Sequence, residues 1–207
     1  MFTKILICLV LGYGFGCIST GYLVGKANKI DIRKYGSGNA GTTNALRTLG
    51  WKAGLITFLG DAIKAIIPIL LIRFLIFPDY EALGLLMLYT GLGVVLGHNF
   101  PFWLHFKGGK GIAATGGVIL ALDWRLAIVT LIVFLLIVII TRYVSLGSLV
   151  ISTLLPIWII IFYPGNLHMI IVSIIFTLSA FIKHRSNIKR LMSGTENKIG
   201  QKVKIDK

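Results

Sequence analysis

Residues 37–47 form the first segment whose composition suits chemistry, with the sequence SGNAGTTNALR. Glycines let a backbone turn back on itself and present N–H groups to a ligand, and the hydroxyl and amide side chains add neutral donors. Arg47 supplies a planar, forked cation that matches a phosphate group. The segment therefore predicts an anion site, although a flexible polar loop is an equally good interpretation of it alone.

A second segment, GHNFPFWLHFKGGKG at residues 97–111, places Lys107 and Lys110 among glycines just before a predicted helix. Backbone N–H groups, the helix dipole and two ammonium groups would converge on an anion there. It is not a Walker A loop, because Gly111 rather than Ser or Thr follows Lys110 and no strand precedes it. The aromatic residues fit an interfacial belt better than a stacking platform, and His98 fits a helix-end histidine better than a catalyst.

The third polar segment, HRSNIKRLMSGTE, occupies residues 184–196. On a helix, His184 and Asn187 would share one face. The basic flank of a membrane helix explains the lysines and arginines of this segment. It does not explain His184, Asn187 or the isolated Glu196, so these three residues are candidates for a function.

Asp61 and Lys64 are charged residues at positions i and i+3 of an apolar stretch. A charge inside a bilayer costs about 2.5–3.5 kcal/mol on insertion scales, so such residues are usually paired or functional. Pairing alone and a role beside a functional site both remain open for them. Elsewhere, glycines four residues apart predict close helix packing at Gly12/Gly16, Gly21/Gly25 and Gly93/Gly97.

The composition indicates which kind of molecule carries these segments. The chain has 207 residues, of which 56% are hydrophobic and 14% charged, with a mean hydropathy of +0.88. This apolar content excludes disorder and argues against a soluble nucleic-acid-binding protein, despite a formal net charge of +14. The prediction is one integral-membrane domain over residues 1–207.

Seven apolar stretches predict an all-α, polytopic membrane protein. A span needs about 20 residues, and the stretch 111–122 has only 12, so one helix is half-length. Residues 111–141 cannot form one helix, because Asp123 and Arg125 interrupt the apolar sequence. The predicted spans are residues 3–25, 53–77, 81–98, 111–122, 124–141, 145–163 and 166–182.

The distribution of basic residues predicts the orientation. With seven spans and the N-terminus outside, 17 of the 21 Lys and Arg residues fall on the cytoplasmic side, as the positive-inside rule requires. Six spans would divide the basic loops between both faces. The C-terminal tail, residues 183–207, is then cytoplasmic. The loop before 111–122 is expected to dip into the membrane, so that the half-length helix directs its N-terminus at an anion.

Together the three polar segments resemble the acyl-phosphate-dependent glycerol-3-phosphate acyltransferases, a family of small multi-pass proteins of bacterial membranes. The resemblance covers essentially the whole chain, because the three segments occur in the same order on one predicted face. Asp61 and Lys64 also resemble a family Asp-x-x-Lys-Gly element in which Ala65 replaces the glycine. This departure concerns helix packing more than chemistry.

The resemblance implies a reaction and a location. A fatty acyl group passes from acyl phosphate to the 1-hydroxyl of sn-glycerol 3-phosphate, giving lysophosphatidic acid and phosphate in the first step of phospholipid synthesis. The active site is expected to face the cytoplasm from the bacterial plasma (inner) membrane, with no metal and no cofactor. The expected partners are the two substrates, the lipid bilayer and a soluble enzyme that makes acyl phosphate, but no nucleic acid.

The resemblance also implies roles for individual residues. Catalytic roles are expected for Ser37, His184 and Asn187. Structural roles are expected for Asp61, Lys64 and Glu196. The expected substrate- and phosphate-binding residues are Gly38, Asn39, Gly41, Thr43, Asn44, Arg47, Lys107, Gly108, Gly109, Lys110, Gly111 and Arg185.

Two questions stay open at the level of sequence. The base that takes the hydroxyl proton is either His184, whose ordinary pKa is about 6.5, or the phosphate of the substrate, whose second pKa is about 6; the substrate is slightly favoured. The alternative function is a membrane transporter or channel for an anionic phosphorylated metabolite, since half-length helices are common at anion sites there. A polybasic membrane adaptor would explain the charge but not the glycines.

Overall fold

The computed structural model describes residues 1–201. These residues form ten α-helices, which confirms the all-α prediction. The predicted tail 183–207 extends further, and its lysines at 202, 204 and 207 lie outside the described residues. The helices are α1 (Phe2–Gly16), α2 (Thr20–Ala27), α3 (Thr42–Leu49), α4 (Trp51–Leu71), α5 (Leu83–Asn99), α6 (Ile112–Leu122), α7 (Trp124–Thr141), α8 (Val144–Phe162), α9 (Leu167–Lys183) and α10 (Arg185–Met192).

Five segments of the described chain are long and apolar enough to cross a membrane. They are Phe2–Ala27, Trp51–Ile76, Leu83–Leu104, Trp124–Thr141 and Val144–Phe162. The helices α9 and α10 together provide a sixth candidate that is bent by 61°. The remaining predicted span corresponds to α6, an apolar helix of only 11 residues. The half-length helix that the sequence predicts is therefore present.

Helices α1 and α5 approach each other closely through their glycines. A Cβ atom added at Gly12 or Gly16 would collide with backbone atoms of α5, and one added at Gly93 or Gly97 would collide with backbone atoms of α1. Small residues at such positions let two membrane helices pack backbone against backbone. The close packing predicted at these two pairs is confirmed, and it fixes the end of α5 that carries His98. The third predicted pair, Gly21/Gly25, packs instead against the backbone of Ala40 and of Ile30–Ile32 in the loop after α2.

Burial differs strongly between the helices and shows which ones face lipid. In an apolar stretch of the candidate span Leu83–Leu104, which contains α5, 72% of residues are buried inside the protein, compared with 11% in α7. Helix α5 is therefore central and α7 peripheral. Large apolar side chains that α7 leaves exposed, such as Leu131 and Ile139, are those expected to contact lipid.

Residues 100–111 form a loop that folds back onto the C-terminal end of α1. Tyr13 Oη donates a hydrogen bond to the carbonyl oxygen of Phe100 at 2.9 Å. Trp103 Nε1 donates to the carbonyl oxygen of Cys17 at 2.8 Å. These two bonds hold the second polar segment against the C-terminal end of α1.

Candidate active site

All three polar segments contribute to one open pocket of about 310 Å³. This volume lies at the lower end of the range of about 300–1,000 Å³ that is usual for small-molecule sites. Four of its lining residues are cationic, and the others are small, polar or apolar. The lining residues are Ser37, Gly38, Asn39, Phe100, Lys110, Ile182, Lys183, Arg185, Ser186 and Arg190.

Asn44 holds the first segment in shape. Its Oδ1 accepts a hydrogen bond from the N–H of Ser37 at 2.9 Å, and its Nδ2 donates to the carbonyl oxygens of Ile32 and Tyr35 at 3.0 and 3.1 Å. The side chain is 1% exposed, so it braces the turn from behind. Asn44 therefore presents Ser37 to the pocket, whereas the sequence predicts that it binds substrate directly.

The remainder of the first segment forms the start and the body of α3. Gly41 is the N-cap residue of this helix, and Thr43 lies in its first turn. Arg47, in the last turn, donates from Nη2 to the carbonyl oxygen of Asn197 at 3.1 Å, while its Nε is buried without a protein partner among the described residues. Burial is the main cause that lowers the pKa of Arg47 from its ordinary value. None of these three residues is among those that line the pocket.

The glycines of the second segment anchor its loop to the end of α5. The N–H of Gly108 donates to the carbonyl oxygen of Asn99 at 3.3 Å, and the N–H of Gly109 donates to that of His98 at 3.0 Å. Gly111 precedes α6 with φ +83°, in the left-handed region that favours glycine. These glycines shape the loop, and Lys107 beside them is exposed and lies outside the pocket lining.

Lys110 is the cation that links the second segment to the third. Its Nζ donates a hydrogen bond to Oδ1 of Asn187 on α10. Burial lowers the pKa of Lys110 to about 8, an effect that the carboxylate of Glu196 opposes and the nearby Arg190 reinforces. A lysine with this pKa is mostly protonated at neutral pH and still able to bind a phosphate group.

Asn187 and Glu196 form a buried network behind the pocket wall. Asn187 Nδ2 donates to Glu196 Oε1 at 2.7 Å, and Ser145 Oγ donates to the same oxygen at 3.0 Å. Arg190 Nε pairs with Glu196 Oε2 at 2.7 Å. Glu196 therefore ties α10 to α8, and the carboxamide of Asn187 passes this constraint to Lys110.

His184 lies at the bend between α9 and α10 and is 3% exposed. Its Nδ1 lies 2.8 Å from the carbonyl oxygen of Ala180. Because a carbonyl oxygen only accepts, Nδ1 carries the proton. Burial, with a further contribution from the positive charge of Lys110, lowers the pKa of His184 to about 4. The imidazole is therefore neutral at physiological pH.

Asp61 and Lys64 form a buried ion pair on α4, with 2.8 Å between Asp61 Oδ1 and Lys64 Nζ. The relative exposures of the two side chains are 1% and 3%. Neither residue lines the pocket. Pairing offsets part of the cost of burying both charges.

Comparison with known proteins identifies the family. The family model described as "Glycerol-3-phosphate acyltransferase" matches residues 6–194. The chain belongs to the glycerol-3-phosphate acyltransferase family. It is 46% identical over 201 residues to the "Glycerol-3-phosphate acyltransferase" of Clostridioides difficile (strain 630), covering 95% of this chain and 96% of the relative. It is 41% identical over 197 residues to the protein of the same name from Thermoanaerobacter pseudethanolicus, with coverage of 95% and 96%.

Solved structures of the same family share the fold. The crystal structure of PlsY (YgiH), an integral membrane glycerol 3-phosphate acyltransferase, in its glycerol 3-phosphate form has a TM-score of 0.86 and 33% identity to this chain, and 95% of this chain and 96% of that one are covered. The lysophosphatidic acid form gives a TM-score of 0.83 at 32% identity, with the same coverage. The chain is accordingly a multi-pass integral membrane enzyme, and the transporter and adaptor alternatives are set aside.

Five of the residues that line the pocket of this acyltransferase are not predicted from the sequence. Lys183 and Arg190 fit the ordinary basic flank of a membrane helix, so nothing distinguishes them before the chain folds. Phe100 is expected in an interfacial belt, yet it lines the pocket and carries Lys183 Nζ 4.5 Å above its ring centroid. If the third segment is taken to begin one residue earlier and to be helical, Lys183 lies four residues before Asn187 and therefore on the same face. The other two missed residues are Ile182 and Ser186.

Proposed function

We propose that the chain transfers a fatty acyl group from acyl phosphate to the 1-hydroxyl of sn-glycerol 3-phosphate, giving lysophosphatidic acid and inorganic phosphate. The observation that carries the proposal is the pocket in which Lys110, Lys183, Arg185 and Arg190 surround about 310 Å³. Four cations in so small a volume suit two phosphorylated substrates, because each phosphate group carries up to two negative charges. The glycerol 3-phosphate and lysophosphatidic acid forms of the related PlsY structure support both the acceptor and the product.

In the proposed reaction, the 1-hydroxyl oxygen attacks the acyl carbon, and the bond from that carbon to the bridging phosphate oxygen breaks. The hydroxyl proton ends on phosphate, and the acyl group ends on glycerol 3-phosphate. Lys110 and Arg185 neutralise the charge that develops on the departing phosphate. The turn at Ser37–Asn39 supplies hydroxyl, amide and backbone donors beside the reacting groups. Asn187, which lies behind the wall, acts by orienting Lys110.

The phosphate of the substrate is the better candidate for the base. A general base works best when its pKa lies near the working pH. The pKa of His184 is lowered to about 4, whereas the second pKa of a phosphate monoester is about 6. The stronger base is therefore the substrate phosphate, and His184 contributes as a neutral residue that shapes the wall beside Lys110.

The proposed topology has seven spans, with the N-terminus outside and the pocket on the cytoplasmic side of the plasma membrane. The 11 residues of α6 reach about 16 Å, so this helix crosses only part of the bilayer and begins at the pocket. The test uses single cysteines at Lys34 and Asp79 after replacement of Cys8 and Cys17. A membrane-impermeant maleimide applied to intact cells should label position 79 alone, and labelling of position 34 would contradict the orientation.

The proposal also includes a donor-supplying partner. Acyl phosphate has an oily tail and a hydrolysable anhydride, so we expect a soluble enzyme to make it close to the membrane. The exposed lysines of residues 26–52 offer such a partner a cationic surface. If this surface is used, raising the ionic strength should slow coupled synthesis by both enzymes more than synthesis from added acyl phosphate. Equal slowing would contradict a charged docking surface.

The choice of donor has a direct test in purified protein. Glycerol 3-phosphate is supplied with palmitoyl phosphate, palmitoyl-CoA or palmitoyl acyl carrier protein, and lysophosphatidic acid is measured by mass spectrometry. The proposal expects product with palmitoyl phosphate and at most a trace with the two thioesters. Faster synthesis from either thioester would overturn the proposed donor but leave the acyltransferase activity in place.

A further inference from the structure

A cluster of three buried polar side chains lies outside the pocket, where helices α4 and α5 meet. Lys64 Nζ is 2.8 Å from Asp61 Oδ1 and 2.9 Å from His98 Nδ1. It also donates to the carbonyl oxygen of Ile18 at 2.6 Å, in the break between α1 and α2. One ammonium group therefore joins three parts of the fold, which is more than charge compensation of Asp61 requires.

The far edge of the His98 ring supports the loop that carries Lys110. A Cβ atom added at Gly109 would collide with His98 Nε2, so the backbone of Gly109 rests directly on the imidazole. The carbonyl oxygen of His98 also accepts the N–H of Gly109 at 3.0 Å. The ring and the carbonyl group of His98 thus both hold Gly109, the residue immediately before Lys110.

These contacts form a continuous path from the bilayer interior to the pocket. Asp61 orients Lys64, Lys64 holds His98 through Nδ1, and His98 supports Gly109 through Nε2 and its carbonyl oxygen. Each member of the path up to His98 is at most 5% exposed. Buried groups in a close-packed interior transmit a displacement to their neighbours rather than absorbing it.

We propose that Asp61 and Lys64 are positioning residues for glycerol 3-phosphate binding, acting through His98 on the Gly108–Gly109–Lys110 turn. The inference rests on the proposed function, because it assigns Lys110 to a substrate phosphate. It adds that the ion pair determines where the Gly108–Gly109–Lys110 turn lies relative to the pocket. Loss of the pair lets the imidazole and the turn shift, so the acceptor binds less tightly. The chemical step, which depends on the other pocket cations as well, changes less.

The test is the double variant D61N/K64M, which removes both charges without leaving one buried alone. Replacing both partners of a buried pair is tolerated far better than removing one. We expect the Kd of glycerol 3-phosphate, measured by isothermal titration calorimetry, and its KM to rise about tenfold or more, as the loss of one charge-assisted hydrogen bond to the phosphate requires. The kcat value should change little, whereas the Tm in detergent should fall, because the carbonyl oxygen of Ile18 and Nδ1 of His98 lose their donor.

Y89F serves as the matched control. It removes the hydrogen bond of 2.6 Å between Tyr89 Oη and His168 Nε2, which joins α5 to α9 away from the pocket. This variant should alter Tm without altering the Kd or KM of glycerol 3-phosphate. If D61N/K64M behaves like Y89F, with an unchanged Kd, the ion pair serves only stability and the proposal is overturned.

A second variant decides the matter if the double variant is not recovered. H98N keeps an acceptor near the position of Nδ1 for Lys64 but lacks the ring edge beneath Gly109. The proposal expects the same rise in Kd, and a wild-type Kd would overturn it. Calorimetry with wild-type protein separates the two claims: a wild type that binds no glycerol 3-phosphate would contradict the proposed function itself.

Discussion

Lys110 Nζ donates a hydrogen bond to Asn187 Oδ1, although 77 positions separate the two residues in the chain. The amide nitrogen of Asn187 donates in turn to Glu196. Asn187 therefore bridges Lys110 of the second segment and Glu196 of the third. This relationship explains why an uncharged amide occurs in so basic a tail: it orients the ammonium group without cancelling its charge.

The lowered pKa of Lys110 predicts a dependence of acceptor binding on pH. The pKa is about 8, and only the protonated lysine attracts phosphate. Below pH 8 the charged form dominates, and each unit above pH 8 reduces its fraction up to about tenfold. The value of kcat/KM for glycerol 3-phosphate, which reports the free enzyme, should therefore fall between pH 8 and 9.5. In K110R, whose guanidinium stays charged, this fall should disappear. Parallel pH profiles for the two proteins would contradict the role of Lys110.

Replacement of His184 separates the two candidate bases. H184Q keeps a donor near the pocket wall but has no group that can take a proton at neutral pH. If the substrate phosphate is the base, kcat should stay within about tenfold of the wild type, since a lost general base costs about 10²–10⁴-fold. The measurement is steady-state turnover at pH 7 with both substrates saturating. A loss of a thousandfold with an unchanged Tm would make His184 the base.

Loss of the Glu196 carboxylate should destabilise the protein. E196A leaves Asn187 and Ser145 without their shared acceptor and Arg190 without its ion-pair partner. We expect a loss of about 2–4 kcal/mol in the free energy of unfolding, from unsatisfied buried groups and a broken pair that is partly exposed on the arginine side. A lower Tm in detergent reports it. E81A changes an exposed glutamate and should leave Tm unchanged; equal effects of the two variants would contradict the buried network.

A methyl group at Gly109 should damage acceptor binding. The Cβ of G109A would occupy the place of the His98 ring, so the loop must move away from α5 and carry Lys110 with it. We expect the KM for glycerol 3-phosphate to rise on the order of 10–10²-fold. The control is G116A, because no atom lies within 4 Å of a Cβ added there. Similar kinetics for the two variants would show that the close approach at Gly109 has no consequence.

The positions of the membrane helices follow from the sequence because apolar runs of span length have few other solutions in lipid. The predicted stretch 124–141 coincides with α7, and 145–163 differs from α8 by one residue at each end. The break between α1 and α2 is not predicted, because residues 3–25 contain no proline and their one charged residue, Lys4, lies far from the break. Helix α3 is also missed, since Thr and Asn at its start are as typical of loops as of helix beginnings.

The site is less predictable than the helices because it depends on where the helices end relative to one another. The three segments are recognisable from glycines next to cations, and the structure brings parts of all three to one pocket. The sequence does not show which of their residues line the pocket and which support it from behind. Asn44, Asn187 and Glu196 turn out to brace the wall. Lys183 and Arg190 line the pocket from either side of the 61° bend between α9 and α10, which the sequence does not predict.

The central claim is that one cationic pocket brings acyl phosphate and glycerol 3-phosphate together for acyl transfer. The most direct measurement follows phosphate release and lysophosphatidic acid formation at the same time, using purified protein in lipid nanodiscs with palmitoyl phosphate. We predict that both products appear in equal amounts, only when glycerol 3-phosphate is present, and that K110M slows both together. Phosphate release that does not depend on glycerol 3-phosphate, or release without lysophosphatidic acid, would contradict the account.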